Sequence, residues 1–293
     1  MSGPKAFSRS SGRSPPRAIA HDAPRNLADF AAQCALDVGR WLVRERPRRR
    51  SLGARDKGKG DPVTDLDVAA EERLRRAIGK RWPGHGFLGE ETGASDLERT
   101  FVWIVDPIDG TANFANGLLP WGVSVACLRD GVPVAGAVYA AAEDRLCVAA
   151  RGAGAHVLGP RRRRIRTPPA QRLDARAVIG VQWFRGVRHL PFLPALLGTG
   201  TRVRVFGCTV SQLCDVAVGR LHANVQQQGK VWDVAAAGLV VEEAGGLFTR
   251  WDGRPVFPCT PRGLTGHHAT VGAPPGVHRQ VLRLLDRVAV SRA

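Results

Sequence analysis

The chain has 293 residues, 44% of them hydrophobic, and a formal net charge of +17. That length and apolar content are enough for one large core or two packed lobes. No run of about 18 apolar residues is present and the chain does not begin with the apolar segment of a secretory signal, so we expect no membrane span and no membrane partner.

The first part of the chain predicts a disordered arm and two helices. Residues 1–25 are rich in Ser, Arg and Pro, which favours a disordered arm over a transit peptide. Apolar residues recur with a helical period over 26–45 and predict the first helix. After a loop rich in Arg and Gly, the motif TDLD predicts a capped second helix that begins near Thr64 and ends before Pro83.

The next part of the chain predicts strands. A short apolar stub stops at Glu90, and four apolar runs follow it. The runs lie at 101–105, 122–128, 134–139 and 146–149, and RDG at 129–131 is a hairpin turn signal. We therefore predict an antiparallel sheet beside the two helices.

From about residue 177 short strands alternate with helices. Strands are predicted at 178–181 and 203–205, and helices at 210–218 and 234–244, the last one ending at a Gly-Gly pair. The boundary between two lobes is predicted within 160–176. The domains are then the arm at 1–25, an α+β lobe with metal-binding motifs at 26–165, and an α/β lobe at 166–293.

Most of the positive charge lies in two segments. Residues 1–55 hold 12 Lys and Arg against 4 Asp and Glu, and residues 160–204 hold 11 against 1. The runs RPRRR (46–50) and RRRRIR (161–166) suggest weak binding of a nucleic acid or another polyanion. Neither run contains an aromatic residue, so an ordinary solvated surface rich in arginine is the favoured interpretation.

The cysteine pattern is typical of buried, reduced thiols. The chain has no C-x-x-C pair, and most of its cysteines have apolar neighbours, which disfavours disulfides and a zinc site. We therefore expect a cytoplasmic protein. The six cysteines are Cys34, Cys127, Cys147, Cys208, Cys214 and Cys259.

The segment WIVDPIDGTANF (103–114) carries two acids, Asp106 and Asp109, at the end of an apolar run. A proline after Asp106 favours extended backbone there, Gly110 permits close approach of a ligand, and Thr111 stands at the start of a predicted helix, where phosphates bind. Oxygen ligands without His or Cys favour Mg²⁺ over zinc. Two such ions about 3.5–4 Å apart can hold a phosphate and activate a water. The alternative is that both acids only cap a turn.

Three further acids stand near the ends of predicted elements. Glu90 ends the apolar stub, Asp67 is the acid of the predicted capping box, and Asp233 opens an apolar helix. For Asp67 and Asp233 a purely structural role in capping is the alternative. The sequence alone does not establish that these acids meet in space.

Four motifs together resemble the inositol monophosphatase family of Mg²⁺-dependent, lithium-sensitive phosphatases. The resemblance covers roughly residues 26–285 and implies a layered α-β-α-β-α sandwich of the sugar-phosphatase type, an α+β or α/β fold. It also implies a homodimer that hydrolyses a small phosphate monoester with a metal-activated water. The motifs are DPVTDLD (61–67), GEETG (89–93), WIVDPIDGTANF (103–114) and WDVAAAGLVVEEAGG (232–246).

The resemblance implies the metal ligands. Glu90, Asp106 and the Ile108 carbonyl would hold one Mg²⁺. Asp106, Asp109 and Asp233 would hold a second, and a weaker third ion would rest on Glu90 and waters.

The resemblance also implies the catalytic and phosphate-binding residues. Thr111, oriented by Asp67, would deprotonate the attacking water together with Glu90. The backbone amides of Gly110 and Thr111 would contact the phosphate.

Two departures from the family pattern concern the substrate. Gln226 stands where inositol-selective members have a glutamate that contacts ring hydroxyls, and Cys208, after Gly207, stands where a hydroxyl is usual. We expect Gly207, Cys208 and Gln226 to face the leaving alcohol. A small polyol phosphate resembling inositol 1-phosphate is the first expectation, and an amino-alcohol phosphate, histidinol phosphate, is the alternative. A regulatory relative that binds nucleic acid or protein is the other alternative.

Overall fold

The structure is a computed structural model that describes residues 22–48, 55–56, 62–168, 172–182, 190 and 192–290. Most of the predicted N-terminal arm lies outside the described residues, as do residues 49 and 50 of the first arginine run. Of the predicted arm, Asp22 to Arg25 are described, and its last two residues, Pro24 and Arg25, already belong to the first helix.

Seven α-helices and fifteen strands form within the described ranges. The helices are α1 (Pro24–Glu45), α2 (Asp65–Arg81), α3 (Thr111–Asn116), α4 (Leu193–Leu197), α5 (Thr209–Ala217), α6 (Val231–Glu243) and α7 (Pro275–Val290). The strands are β1 (Arg55–Asp56), β2 (Pro62–Val63), β3 (Gly86–Gly89), β4 (Gly93–Ser95), β5 (Phe101–Asp109), β6 (Gly122–Arg129), β7 (Val132–Ala140), β8 (Arg145–Ala150), β9 (Gly154–Leu158), β10 (Arg163–Ile165), β11 (Val178–Gln182), β12 (Arg202–Arg204), β13 (Ala223–Gly229), β14 (Leu247–Arg250) and β15 (His268–Ala273).

The strands form a large sheet, a small sheet and a separate two-stranded ribbon. The large sheet has the order β10-β9-β8-β7-β6-β5-β3-β4, and the small sheet has the order β12-β11-β13-β15-β14. The four predicted runs pair antiparallel as β5 to β8, which confirms that prediction. The short stub joins the same sheet as β3, which lies parallel to β5. In the small sheet β11 lies parallel to β12 and to β13.

The second helix begins as predicted. The side chain of Thr64 accepts hydrogen bonds from the backbone N–H groups of Leu66 and Asp67, and the Asp67 carboxylate accepts one from Thr64 N in return. This reciprocal pair is a capping box. Helix α2 ends at Arg81, before Pro83.

Strand β5 is longer than predicted. It was expected to stop at residue 105 but continues to Asp109, because Asp106 pairs with Ser124 and Asp109 pairs with Gly122 of β6. The pairing shifts register between the two acids, so an irregularity in the strand, rather than its end, places both carboxylates. The turn after the strand lies at Gly110.

The hairpin turn between β6 and β7 is confirmed. Its two central residues, Asp130 and Gly131, have φ angles of 50° and 76°. Positive φ at both positions is the requirement of the tight turn that matches the twist of an antiparallel pair.

The sheets and helices stack in five layers, as the resemblance implied. Helices α1 and α2 cover one face of the large sheet around Trp103 and Tyr139, and α5 and α6 cover the other face. Helices α4 and α7 pack on the outer face of the small sheet around Val225 and Val271. The order α-β-α-β-α places α5 and α6 in the central layer.

The six cysteines are all buried and free, as predicted. Among the residues that the structure covers, no helix combines the length and the apolar character needed to cross a bilayer.

Candidate active site

Three helices begin close to the end of β5. Helix α3 begins at Thr111, α5 at Thr209 and α6 at Val231. Asp109 connects two of these starts, because its Oδ2 accepts a 2.6 Å hydrogen bond from Val210 N in the first turn of α5. The first N–H groups of a helix lack partners within the helix and carry its positive dipole end, so this location favours an anion.

Four carboxylates meet at the same place. Glu90 forms a hydrogen bond with Asp106, whose pKa lies well above its usual value because of burial and the charges of Glu90, Asp109 and Asp233. The pKa of Asp233 is likewise well above its usual value through burial and the charges of Asp109 and Glu90. Burial, reinforced by Glu90, raises the pKa of Asp109 to about 7. These are the acids that the motifs singled out.

The chemistry of this donor set fits a hard divalent cation. Buried carboxylates that repel one another are costly unless they are protonated or neutralised by a cation. Across the described parts of the chain, no three His, Cys, Asp or Glu side chains are already arranged around one metal position. Glu90 and Asp106 instead form a hydrogen bond with each other, and a bound cation would take the place of the proton in that bond.

The raised pKa of Asp109 predicts how the stability of the metal-free protein depends on pH. Folded Asp109 keeps its proton up to a pH of about 7, whereas the unfolded chain releases it near 3.8. The folded state therefore binds this proton more tightly, and its contribution to stability is full below the lower value and is lost as the pH rises towards the upper one. We therefore expect the contribution of Asp109 to the melting temperature, measured in excess EDTA, to fall as the pH rises from about 4 to about 7.

The change Asp109→Asn isolates this term, because an amide does not titrate. The melting temperature of the variant should rise relative to wild type over the same pH range. If the plots of melting temperature against pH for the variant and the wild type stay parallel in EDTA, Asp109 is not protonated in the folded protein.

Asp67 serves two partners, one with each oxygen. Its Oδ2 accepts from the backbone N–H of Thr64 at 2.9 Å and from the Thr64 hydroxyl. Its Oδ1 lies 3.1 Å from the hydroxyl of Thr111, which is also 2.9 Å from the Ile108 carbonyl oxygen. The capping role and the predicted contact with Thr111 are therefore both present in the geometry.

Gly110 lies where only glycine fits. Its φ is 91°, and a Cβ atom there would stand 3.0 Å from the Gly207 carbonyl oxygen and 3.1 Å from that of Pro120. Asn113 holds these two loops together, since its Nδ2 donates to the carbonyl oxygens of Pro120 at 2.8 Å and Phe206 at 2.7 Å. The backbone next to α3 is thus fixed against the loop that precedes α5.

The predicted substrate residue Cys208 contacts a metal-ligand candidate. Its Sγ lies 3.4 Å from Asp109 Oδ2 and 3.1 Å from the Ser211 hydroxyl. Burial, followed by the charge of Asp109, raises the pKa of the thiol well above its usual value, so the group stays neutral and can donate its proton to the carboxylate.

Gln226 is fully buried against the start of α5. Its Nε2 lies 3.3 Å from the Thr209 hydroxyl, and its Oε1 accepts from Thr270 at 3.5 Å. The contact of Gln226 with a leaving alcohol stays a prediction.

Asp233 lies one turn further into its helix than predicted. Helix α6 begins at Val231, so Asp233 is its third residue rather than its N-cap. Its Oδ2 nevertheless accepts from Lys230 N at 2.9 Å, which leaves Oδ1 free of that bond. The early start of α6 brings the carboxylate inside the first turn.

Glu71 is a residue that the motifs did not reveal. It is fully buried, and its carboxylate accepts from the backbone N–H groups of Glu91 at 2.8 Å and Thr92 at 2.6 Å. These bonds fix the turn that carries Glu90. The available signal was an acid four residues after Asp67 on the buried face of α2.

A family model described as the inositol monophosphatase family matches residues 23–287. The chain belongs to this family. The inositol monophosphatase family is one of phosphatases that are generally metal-dependent. The matched range includes the segments 89–93, 103–114 and 232–246, which hold the four acids.

Relatives within the inositol monophosphatase family carry different names. The chain is 42% identical to the histidinol-phosphatase of Mycobacterium tuberculosis over 197 residues, or 66% of this chain and 75% of that protein. It is 36% identical to the inositol-1-monophosphatase of Mesorhizobium japonicum over 232 residues, or 78% and 86%. The crystal structure of the extragenic suppressor protein SuhB from Bartonella henselae superposes with a TM-score of 0.79 at 30% identity, covering 88% of this chain and 98% of that one.

Proposed function

We propose that this protein is a Mg²⁺-dependent phosphatase that hydrolyses a small phosphate monoester by attack of water. The observation that carries the proposal is the meeting of four carboxylates, three of them buried, with the starts of three helices. Carboxylates attract a hard cation and helix starts attract an anion, so one location suits Mg²⁺ and a phosphate together.

The metal ligands follow from the family pattern and the donor chemistry. Glu90, Asp106 and the Ile108 carbonyl would hold one ion, and Asp106, Asp109 and Asp233 would hold the other. Bound Mg²⁺ supplies neutralisation of the phosphate charge and a lowered pKa of a coordinated water.

The chain itself would position the water and accept its proton. The Thr111 hydroxyl has a single proton, and donation to Asp67 Oδ1 leaves its lone pairs available to a water. Glu90 stands beside Asp106 as the carboxylate that takes up the proton. The backbone N–H groups at Gly110 and Thr111 would orient the phosphate at the start of α3.

The change Asp67→Asn should lower kcat by about tenfold or more while leaving Mg²⁺ affinity nearly unchanged. An amide has one acceptor oxygen, so it cannot serve both Thr64 and Thr111 as the carboxylate does. The measurement is steady-state phosphate release across a range of Mg²⁺ concentrations.

The matched control is Thr64→Ala, which removes the helix cap but keeps the contact of Asp67 with Thr111. It should reduce the free energy of unfolding by about 1 kcal/mol and leave kcat near wild type. If Asp67→Asn behaves in the same way as Thr64→Ala, Asp67 is only a helix cap.

The proposed substrate is an amino-alcohol phosphate of the histidinol phosphate kind, with a polyol phosphate such as inositol 1-phosphate as the alternative. The relative that is 42% identical is named a histidinol-phosphatase, which favours the former. The neutral Gln226, in place of the glutamate of inositol-selective members, offers no charge to the hydroxyls of the inositol ester or to the amine of histidinol phosphate, so it does not choose between them. Loss of a charge-assisted hydrogen bond lowers kcat/KM by about tenfold.

The test is phosphate release from a panel that contains histidinol phosphate, inositol 1-phosphate and other small monoesters, with Mg²⁺ or with excess EDTA. We expect Mg²⁺-dependent release, with kcat/KM for the inositol ester lower than for the best substrate. Absence of release from every monoester in Mg²⁺ would contradict the phosphatase proposal. A preference for inositol 1-phosphate would overturn only the substrate assignment.

A further inference from the structure

The inner face of the small sheet carries a buried chain of amide side chains. Gln182 ends β11, Asn224 lies on β13, and Gln212 reaches towards both from α5. Gln212 Nε2 donates to Gln182 Oε1 at 3.2 Å, and Asn224 Nδ2 donates to Gln212 Oε1 at 3.3 Å. All three residues are buried, and Gln212 is only 1% exposed.

Gln212 extends this chain to the start of its own helix. Its Nε2 also donates to the Cys208 carbonyl oxygen at 3.1 Å. Both amide hydrogens of Gln212 therefore have acceptors, and its oxygen has a donor. The side chain of Gln212 thus joins two strands of the small sheet to Cys208, the residue just before α5.

The start of α5 is also where Asp109 is held. Asp109 Oδ2 accepts from Val210 N at 2.6 Å and lies 3.4 Å from the Cys208 sulfur. A displacement of Cys208 and Val210 would move the donors that orient this carboxylate. The amide chain thus connects the small sheet to the acid cluster through a single turn of helix.

Gly180 gives the amide its space. A Cβ atom on Gly180 would stand 2.3 Å from Gln212 Oε1, so a larger residue there would displace the amide. Gly180 pairs with Asn224 in the register of β11 and β13, which puts the absent side chain directly beside the second amide. Strands β11 and β13 and helix α5 therefore all contact the side chain of one buried glutamine, Gln212.

Packing alone does not require this arrangement. A buried amide contributes little net stability compared with an apolar side chain of the same shape, and one of these groups, Asn224 Oδ1, has no hydrogen-bond partner within the described structure. Directional bonds, unlike apolar contacts, fix one relative position of the elements that they join. A functional demand on the position of α5 accounts for their presence.

We infer that Gln212 is a positioning residue for the metal site: it fixes the start of α5 against the small sheet so that Val210 N and the Cys208 thiol hold Asp109 in place to bind a cation. This inference rests on the proposed function, since it assumes that Asp109 binds Mg²⁺. Gln212 itself touches neither the phosphate nor the metal ligands.

The test is calorimetric titration of Mg²⁺ into the full chain after removal of metal, together with kcat and KM at saturating Mg²⁺. Gln212→Met keeps the volume of the side chain and removes its hydrogen bonds. We expect it to bind Mg²⁺ about tenfold more weakly, with kcat recovering in part when Mg²⁺ is raised. Gly180→Ala should displace the amide and weaken Mg²⁺ binding to the same extent. If Gln212→Met does not fold, the milder Gln182→Met replaces it and should also weaken Mg²⁺ binding.

The matched control is Leu213→Met, a change of similar volume at the next residue of α5, which is also fully buried. It should leave Mg²⁺ affinity within about twofold of wild type. Equal Mg²⁺ affinity in the folded Gln212, Gly180 and Gln182 variants and in wild type would overturn the inference, even if their melting temperatures fall. A wild-type protein that binds no Mg²⁺ would instead refute the proposed function on which the inference rests.

Discussion

Asp106→Asn is expected to lower kcat by at least about a hundredfold, the largest effect of any single acid in the cluster. The side chain is 1% exposed and lies beside Glu90, Asp109 and Asp233. In the proposed arrangement it contacts both ions, and an amide provides one neutral oxygen where the carboxylate provides two charged ones. The measurement is steady-state phosphate release at saturating Mg²⁺, with the melting temperature in EDTA recorded beside it.

The metal-free variant should be at least as stable as wild type, because the amide carries no charge to repel the other acids. The matched control is Asp130→Asn, the same chemical change in an exposed hairpin turn where φ is 50° and asparagine is well tolerated. It should retain wild-type kcat. An Asp106 variant that folds and keeps more than about a tenth of wild-type kcat would mean that this acid does not bridge the ions.

Gly110→Ala is expected to reduce kcat/KM by about a hundredfold as well, since displacement of a phosphate-positioning backbone by about 1 Å has effects of that size. The φ of 91° is unfavourable for alanine, and the new methyl group would press on the carbonyl oxygens of Gly207 and Pro120 at 3.0 and 3.1 Å. Both loops would have to move away from the start of α3. Kinetics with a saturable substrate would separate the expected loss in kcat from any change in KM.

Gly152→Ala is the matched control for Gly110→Ala. Gly152 has a φ of 75°, yet a Cβ atom there would meet nothing within 4 Å. It therefore reproduces the backbone strain without the contacts near the site, and activity should be unaffected. Equal losses in the two variants would assign the effect to general destabilisation.

The acids were predictable because their local surroundings are distinctive. An apolar run followed by DPIDGT, and a capping box at Thr64, each imply a defined backbone direction from a few neighbouring residues. The same local logic placed α1, α2 and the turn at Asp130 within a few residues of their observed positions. What it could not supply was the meeting of Glu90 with Asp233, which depends on the packing of α6 against the large sheet.

The remaining features depend on contacts between distant segments. Nothing in the local sequence distinguishes Gln212 from other polar residues. Its amide is identified only by its contacts with Asn224 and Gly180, which lie on other elements of the fold. The irregularity of β5 depends on pairing with β6, so the sequence placed the strand end four residues too early. Glu71 binds the backbone of Glu91 twenty residues away along the chain, beyond the reach of a local motif.

We propose that the buried carboxylates bind the Mg²⁺ on which hydrolysis depends. Phosphate release as a function of free Mg²⁺, measured in an EDTA-buffered series with one good substrate, tests this proposal. We expect no release in excess EDTA and a saturable return of activity as free Mg²⁺ rises. Full activity in excess EDTA, at any pH between about 6 and 9, would contradict it.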